Sequence, residues 1–389
     1  MDQRKRKLLY ASPFPPKKSG ISDYSEMMVY GLKDYFDVSL LIDDYKPSNE
    51  ALCRDFEIKI YGKDQIDFDG FDNVLYNVGN CPDFHLYIYD SMLKHPGHMI
   101  LHDLSIYYLT LEYYRDRIDY YSSLYRIAGP EGFFELKMQL RRGMELLHSG
   151  PEMPSKIHLN KELLFASKGV IVHSKYSRDS LSDFCGAPPI LQIEMPYVKD
   201  PLGQRTKVYL KNTHRIPDDA MVLASFGYIQ DTKLNHLVCR AVKRLNNELG
   251  RCIYYVMVGA GDYVDDYLDG NIIKTGYIGS PVYNDILERS NIVFGLRYPS
   301  MGETSASLIK ALGRGKPCFV TDDAWFSELP DNAVIKMSKD SDENDVYEKL
   351  KHYLKDPEAL KAVAAKASEY MNSRPTLEQE CKRIRDFLK

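Results

Sequence analysis

Short apolar runs alternate with longer amphipathic stretches along the whole chain. The runs are mostly apolar along their length, as expected of strands in a parallel sheet that helices cover on both faces. The runs form two sets, so the pattern starts again after the first. They lie at 8–11, 38–42, 57–61, 73–78, 99–102, 170–173 and 190–196 in the first set, and at 221–227, 253–259, 271–276, 291–296, 318–321 and 333–337 in the second.

The segments between these runs have helical patterns. From Leu234 to Leu245, apolar residues recur at three- and four-residue spacing, which predicts an amphipathic helix. A Tyr-rich segment at about 104–165 is also helical in character. After Pro375, Thr376 and Gln379 have the spacing of a capping box and predict a last helix. The alternation is typical of successive βαβ units.

The two sets predict an α/β protein of two doubly wound, Rossmann-like domains. A length of 389 residues fits two domains better than one. Pro196, Pro201 and Gly203 interrupt the pattern between the sets, so we assign residues 1–198 to the first domain and 199–375 to the second. Ligands of open α/β sheets bind beyond the carboxyl ends of the strands. Two such domains are expected to face a central cleft.

Composition and charge argue against several classes of protein. With 51 Lys plus Arg against 55 Asp plus Glu, the formal charge of −4 argues against a dedicated nucleic-acid-binding protein. No segment approaches the roughly 20 apolar residues of a membrane span, and the apolar run near the N-terminus is too short for a secretory signal. Seven cysteines without a CxxC pair predict reduced thiols and no structural metal. We expect a cytoplasmic protein, in which 30 tyrosines indicate wet clefts or interfaces.

Two positions in the first domain are candidates for binding chemistry. Gly20 allows a ligand to approach the backbone, and the N–H groups at the helix start that follows favour an anion. The alternative is a simple turn in which Ser22 or Asp23 caps the helix. His102 ends the fifth run, where it can bind a sugar hydroxyl or a phosphate, or serve only the interior.

The second domain has a denser set of candidates. Gly227 marks a tight turn after a buried strand, and Lys233 follows it, placed to neutralise a diphosphate or simply solvated. Arg297 ends a strand and can fork onto phosphate oxygens. Residues 302–305, Gly-Glu-Thr-Ser, are predicted to open a helix, where Glu303 is an alternative capping carboxylate. The combination points to an anion site more strongly than any member does.

A metal site is not predicted. Two Asp-x-Asp tripeptides, at 67–69 and 340–342, are of the kind that holds a divalent cation with a nucleotide diphosphate. Neither follows a predicted active-site strand, and such tripeptides are common in acidic turns. We therefore expect no metal.

With these residues assembled, the chain resembles the retaining glycosyltransferases of family four, which have the GT-B fold. The resemblance extends over nearly the whole length, and its last motif is the most specific. The segments that carry it are PFPPKKSGISDYS, YNVGN, HPGHMILHDLSI, VIVHS, SFGYIQDTK, TGYIGS and RYPSMGETSASLIKALGRGKP.

The resemblance implies transfer of a sugar from a nucleotide-diphosphate donor to an acceptor hydroxyl, with retention at the anomeric carbon and with no metal or other cofactor. The acceptor would be a glycan or a lipid-linked molecule in polysaccharide or glycolipid synthesis. Helix 376–389 would pack back on the first domain. The catalytic residues it implies are Lys233 and Arg297 at the departing diphosphate, His102 at the donor sugar, and Glu303. Gly302, Thr304 and Ser305 would add backbone and hydroxyl donors, and the donor would also contact Gly227, with Gly276, Tyr277 and Ile278 at the nucleobase and Gly20 at the donor phosphates.

The chain departs from the family at two positions. Lys310 stands where many members have the second of two glutamates, and a lysine cannot accept hydrogen bonds from ribose hydroxyls. Tyr228 stands where an arginine is frequent. These departures leave two alternatives open: a catalytically silent GT-B subunit that binds a glycan or a partner protein, and another GT-B activity such as epimerisation or phosphorolysis. The basic residues at 4–7 and 17–18 allow a peripheral contact with anionic lipid.

Overall fold

The structure is a computed structural model that describes residues 4–198, 208–250 and 252–389. In these ranges the strands are β1 (Arg6–Ala11), β2 (Phe36–Ile42), β3 (Glu57–Ile60), β4 (Asn73–Val78), β5 (His98–Leu101), β6 (Gly169–Val172), β7 (Ile190–Gln192), β8 (Met221–Phe226), β9 (Ile253–Val258), β10 (Ile272–Lys274), β11 (Ile292–Gly295), β12 (Cys318–Thr321) and β13 (Ile335–Met337). Every apolar run noted above overlaps one of these strands.

The α-helices in the same ranges alternate with the strands, apart from a group between β5 and β6 and a group at the end. They are α1 (Gly20–Leu32), α2 (Glu50–Asp55), α3 (Pro82–Lys94), α4 (Tyr107–Tyr114), α5 (Tyr120–Arg141), α6 (Glu152–Lys156), α7 (Lys161–Ala166), α8 (Lys175–Ser182), α9 (Tyr209–His214), α10 (Asn235–Leu249), α11 (Ser280–Arg289), α12 (Ala306–Leu312), α13 (Glu343–Lys355), α14 (Pro357–Ser373) and α15 (Leu377–Phe387). None of them has the length and apolar content that crossing a membrane requires.

The chain divides into two compact units. The first comprises residues 1–196, 301–304 and 375–389. Its described strands form a parallel sheet in the order β3-β2-β1-β4-β5-β6-β7. The strand order reverses between β1 and β4, which is the doubly wound arrangement, and the carboxyl ends of these two strands flank the point where such sheets bind ligands.

The last helix belongs to the first unit. Thr376 caps α15, and the side chain of Gln379 closes the capping box that the sequence predicts. The guanidinium group of Arg6, at the start of β1, donates hydrogen bonds to the main-chain oxygens of Arg385 and Leu388. The C-terminal segment is thereby tied to the first strand of the chain.

Tyrosines form part of the interior of this unit. The carboxylate of Glu162 accepts hydrogen bonds from the hydroxyls of Tyr89 and Tyr114, at 2.6 and 2.7 Å. Asp90 accepts one from Tyr61 at 2.6 Å. A tyrosine can fill core volume with its ring and satisfy a carboxylate with its hydroxyl. These three tyrosines thus have a structural role, which the sequence interpretation of wet clefts or interfaces did not foresee.

The second unit comprises residues 197–300 and 305–374. Its described strands form a parallel sheet in the order β10-β9-β8-β11-β12-β13, with the reversal between β8 and β11. The apolar face of α10 is buried as the spacing predicts, from Val238 to Leu245. The α/β prediction of two doubly wound sheets is therefore confirmed. Residues 199–207, which include Pro201 and Gly203 of the predicted boundary, lie outside the described residues.

Candidate active site

Lys233 lies over the carboxyl end of β8 in the second unit. It closes a short turn, and its ammonium group donates a hydrogen bond to the main-chain oxygen of Phe226, at 2.5 Å. Gly227 follows with a φ of 95°, and a Cβ atom there would come within 2.8 Å of the lysine Nζ. The glycine is therefore favoured by the left-handed backbone conformation, and a side chain there would also displace the lysine Nζ.

Arg297 follows β11, the strand next to β8. Its guanidinium group donates a hydrogen bond from Nη1 to the hydroxyl of Thr232, at 2.9 Å, and Thr232 is the residue before Lys233. The main chain adds a second link, because the N–H of Tyr298 donates to the Thr232 oxygen at 2.8 Å. The structure thus connects the loops of both predicted cations at the strand-order reversal of the sheet, where ligands of doubly wound sheets bind. Thr232 was not among the predicted residues.

The predicted nucleobase segment follows β10, at the edge of the same sheet. Gly276 has a φ of 71°. Tyr277 is 61% exposed. Its ring, with Ile278 beside it, is therefore a surface on which a flat apolar group can stack.

The Gly-Glu-Thr-Ser segment does not open a helix as predicted. Helix α12 begins at Ala306, and Ser305 is its N-cap, accepting a hydrogen bond from the N–H of Leu308 at 3.3 Å. Gly302 has a φ of 78° and, with Thr304, belongs to the preceding loop. A left-handed glycine cannot continue a helix, and serine is a preferred cap, so the helix starts four residues after Gly302.

Residues 301–304 are bound within the first unit. The hydroxyl of Ser177 donates to the main-chain oxygen of Gly302 at 3.1 Å. The Glu303 carboxylate accepts from the N–H of Met301 at 2.8 Å, and the N-cap of α12 is Ser305, so Glu303 is not the N-cap residue. A Cβ atom at Gly302 would lie 2.4 Å from the Leu104 Cβ, so the loop has no room for a side chain there.

In the first unit, His102 follows β5 and is 8% exposed. Its Nε2 lies 3.1 Å from the Oδ1 atom of Asn77, and its ring contacts Tyr24 edge-on with centroids 4.8 Å apart. Burial, followed by the nearby His173 and His85, holds the pKa of His102 well below its usual range. The ring is therefore neutral at neutral pH, and any hydrogen bond that it makes with a ligand is made by a neutral imidazole.

His85 is a second buried histidine of this layer. Its Nδ1 lies 3.1 Å from the main-chain oxygen of Asn77. Burial lowers its pKa to about 4. Asn77 was not singled out in the sequence, although one signal was available: it is an amide inside an otherwise apolar strand, and such a side chain needs partners when buried.

Acidification is expected to destabilise the first unit through His85. The unfolded chain takes up a proton near the ordinary histidine pKa of about 6.5, whereas the folded chain does so only near pH 4. Because the unfolded state then binds more protons, the free energy of unfolding falls by about 2 kcal/mol between pH 7 and pH 5 from this residue alone. Chemical denaturation of wild type and His85→Gln at both pH values measures it.

The matched control for this experiment is His148→Gln, since His148 is exposed. It is expected to keep the wild-type difference between the two pH values. An equal loss of stability on acidification in wild type and His85→Gln would contradict the prediction.

Gly20 is the first residue of α1. The N-cap is Ser19, whose hydroxyl accepts from the N–H of Ile21 at 3.1 Å, so the alternative caps Ser22 and Asp23 are wrong. Among the described residues, no heavy atom outside its chain neighbours and its own helix lies within 4 Å of the Cβ position of Gly20. The approach of a ligand phosphate to this backbone stays a prediction.

The Asp-x-Asp tripeptides serve local structure. Asp67 accepts from the N–H of Gly70, and Asp342 caps α13 by accepting from the N–H of Asp345 at 3.0 Å. Across the described ranges, no group of three or more His, Cys, Asp or Glu side chains is arranged to hold a metal ion.

Comparison with known proteins gives the fold. No family model matches the chain, and no curated protein matches it in sequence. Solved structures do match over nearly the whole length. Sucrose-phosphate synthase from Thermosynechococcus elongatus is 13% identical, with 98% of each chain covered and a TM-score of 0.67.

Two further structures are similar to the same degree. HepE from Anabaena, solved in complex with UDP-glucose, is 12% identical, with 98% of this chain and all of the other covered and a TM-score of 0.64. WaaG, a glycosyltransferase involved in lipopolysaccharide biosynthesis, is 11% identical, with 98% and 99% covered and a TM-score of 0.64. At such identities the likeness concerns the fold, and the chain has the GT-B fold that the sequence predicts.

Proposed function

We propose that this chain is a retaining glycosyltransferase, which moves a sugar from a nucleotide-diphosphate donor to an acceptor hydroxyl without a metal. The observation that carries the proposal is the hydrogen bond from Arg297 to Thr232, next to Lys233. It links the loops of two cationic side chains at the strand-order reversal of the second sheet. HepE, of the same fold, was solved with UDP-glucose, which supports a nucleotide sugar as the donor.

The proposed chemistry is electrostatic. As the glycosidic bond breaks, its electron pair stays with the diphosphate, so negative charge grows there. Cations and N–H groups that are held in place before the reaction stabilise that charge more in the transition state than in the substrate. In this proposal Lys233 and Arg297 supply the cations, the loop at 302–305 adds N–H and hydroxyl donors, and Tyr277 stacks on the nucleobase.

The first unit contributes His102 to the donor sugar and Gly20 to the donor phosphates in this proposal. The proposed acceptor is a glycan or a lipid-linked molecule. A lipid-linked acceptor would bring the chain to a membrane surface, and this peripheral contact stays a prediction. The basic start is partly engaged, because Arg6 donates to two main-chain oxygens of the C-terminal segment and Lys5 donates to the Lys33 oxygen. Such cations are less available to anionic lipid than the sequence alone implies.

The alternative of a silent GT-B subunit is favoured by two observations. Lys310, in place of a family glutamate, lies over the Tyr283 ring with its Nζ 5.5 Å from the centroid. Tyr228, in place of a family arginine, is 66% exposed. Neither side chain offers the carboxylate or the cation that the family pattern has at these places.

A nucleotide-sugar panel separates the two functions. We expect one sugar nucleotide among UDP-, GDP- and TDP-sugars to raise the melting temperature, since a ligand at a hundredfold excess over its Kd adds about 2.7 kcal/mol of apparent stability. The same donor should be hydrolysed slowly without an acceptor. A protein that binds and hydrolyses no donor would be the silent subunit, and isomerised nucleotide sugar would indicate an epimerase.

A further inference from the structure

The orientation of the Asn77 amide is fixed by its neighbours. Its Nδ2 donates a hydrogen bond to the main-chain oxygen of Ala11 at 3.2 Å. A main-chain oxygen can only accept, so the amide nitrogen must face β1. The amide oxygen then faces the hydroxyl of Tyr10, at 3.2 Å, and the Nε2 atom of His102, at 3.1 Å. Asn77 is fully buried, so these partners account for both ends of the amide.

This orientation determines where His102 carries its proton. The amide oxygen accepts and cannot donate, so Nε2 of His102 must be the protonated nitrogen. Nδ1 is left with a lone pair. The same reasoning gives the opposite tautomer for His85, whose Nδ1 faces the main-chain oxygen of residue 77. Asn77 thus determines the tautomers of two buried histidines, that of His102 through its side chain and that of His85 through its main-chain oxygen.

We propose that Asn77 is a positioning residue, which holds His102 as the Nε2–H tautomer and so presents Nδ1 as a hydrogen-bond acceptor to a hydroxyl group of the donor sugar. The identity of that hydroxyl rests on the proposed function, whereas the tautomer does not. An unprotonated phosphate oxygen has no hydrogen to give, so Nδ1 selects a hydroxyl over the leaving phosphate. The sequence left those two ligands of His102 open.

The surroundings of His102 keep it neutral. The groups that face it are Tyr24, His85 and His173, in addition to Asn77. None of these four is a carboxylate that would stabilise an imidazolium. Burial and the two other histidines lower the pKa of His102, so the neutral tautomer persists across the working range of pH.

The tautomer can be measured on the full chain with nitrogen-15-labelled histidine. Long-range proton–nitrogen NMR spectra distinguish the two neutral forms, and His102→Gln and His85→Gln assign the two signals among the ten histidines. We expect the Nε2–H pattern for His102 and the Nδ1–H pattern for His85. An Nδ1–H pattern at His102 in wild type would overturn the proposal, even if no variant of Asn77 folds.

Asn77→Ser tests the role of the side chain. A serine hydroxyl is shorter and can either donate or accept, so it does not dictate the proton position on His102. We expect a mixture of tautomers at His102, while His85 keeps its pattern because the main-chain oxygen remains. Tyr10→Phe is the matched control: it removes the other donor to the same amide oxygen and should leave both histidines unchanged.

Kinetics then connect the tautomer to the ligand. With the donor found in the panel, kcat/KM of Asn77→Ser is expected to fall about 2- to 10-fold, the size of one hydrogen bond between neutral groups, and Tyr10→Phe should match wild type. A His102 that keeps a single tautomer in Asn77→Ser would refute the role of Asn77. If no donor binds at all, the proposed function fails while the NMR result still stands, so the two failures are distinguishable.

Discussion

Alanine at Lys233 or at Arg297 is expected to lower donor turnover by about 100-fold or more. Each cationic side chain would stabilise the negative charge that develops on the departing diphosphate. Removing one such donor commonly raises the activation barrier by about 2.7–4 kcal/mol. The loss should appear in kcat, because the charge is greater in the transition state than in the bound substrate. Steady-state rates with saturating donor and acceptor measure it.

A matched control is available on the helix that follows Lys233. Lys243 lies on α10, 41% exposed and paired with Asp269, and Lys243→Ala should retain wild-type turnover because an exposed ion pair contributes little. The turnover of Thr232→Val is expected to lie between that of Lys243→Ala and that of Arg297→Ala, since Thr232→Val keeps both cations and removes the hydroxyl that holds Arg297. Nearly intact turnover in both Lys233→Ala and Arg297→Ala would exclude these residues from the mechanism.

The fold was predictable because most of its strands are buried on both faces. Such strands are continuous apolar runs, which one sequence is enough to locate. Right-handed βαβ connections then restrict the strand orders that are possible, whereas the order and register themselves come from the structure. The α10 face and the capping box of Thr376 and Gln379 are equally local signals, because all their partners lie within a few residues.

The candidate site was predictable only in part, for a physical reason. Glycines and cations at strand ends are visible in a sequence, whereas the contacts that orient them are made by residues far apart in the chain. Thr232 holds Arg297 across 65 positions, and Asn77 reaches His102 across 25 and Ala11 across 66. Sequence spacing carries no information about such pairs.

The loop at 302–305 illustrates the same limit at short range. The motif is visible, but two rules compete at its helix start: anion-binding turns favour glycine, and helix caps favour serine. Ser305 is the N-cap of the helix. The preceding loop contacts Ser177 and Leu104 of the first unit, and no local pattern in the sequence reveals these contacts. The helix therefore begins later than the motif predicts.

Gly259→Ala is expected to destabilise the second unit and to disturb the turn that ends β8. A Cβ atom at residue 259 would lie 2.1 Å from the Gly227 oxygen and 2.8 Å from its carbonyl carbon, both of them backbone atoms that cannot rotate away. The main chains at this point are joined on both sides, by Gly227 to Val258 at 2.9 Å and by Ile229 to Ala260 at 2.7 Å. The added methyl group must therefore push the two loops apart.

We expect a cost of at least about 1–3 kcal/mol in the free energy of unfolding, as for other overpacked sites, and a fall in donor turnover because Lys233 is held at the same strand end. Thermal unfolding compares the variant with Gly270→Ala. Gly270 belongs to the same unit, and among the described residues no heavy atom outside its chain neighbours lies within 4 Å of its Cβ position. That control should unfold like wild type or slightly later, since alanine restricts the unfolded chain. If Gly259→Ala and Gly270→Ala unfolded at the same temperature, the close approach of residues 227 and 259 would not restrict the side chain at position 259, and the prediction would be wrong.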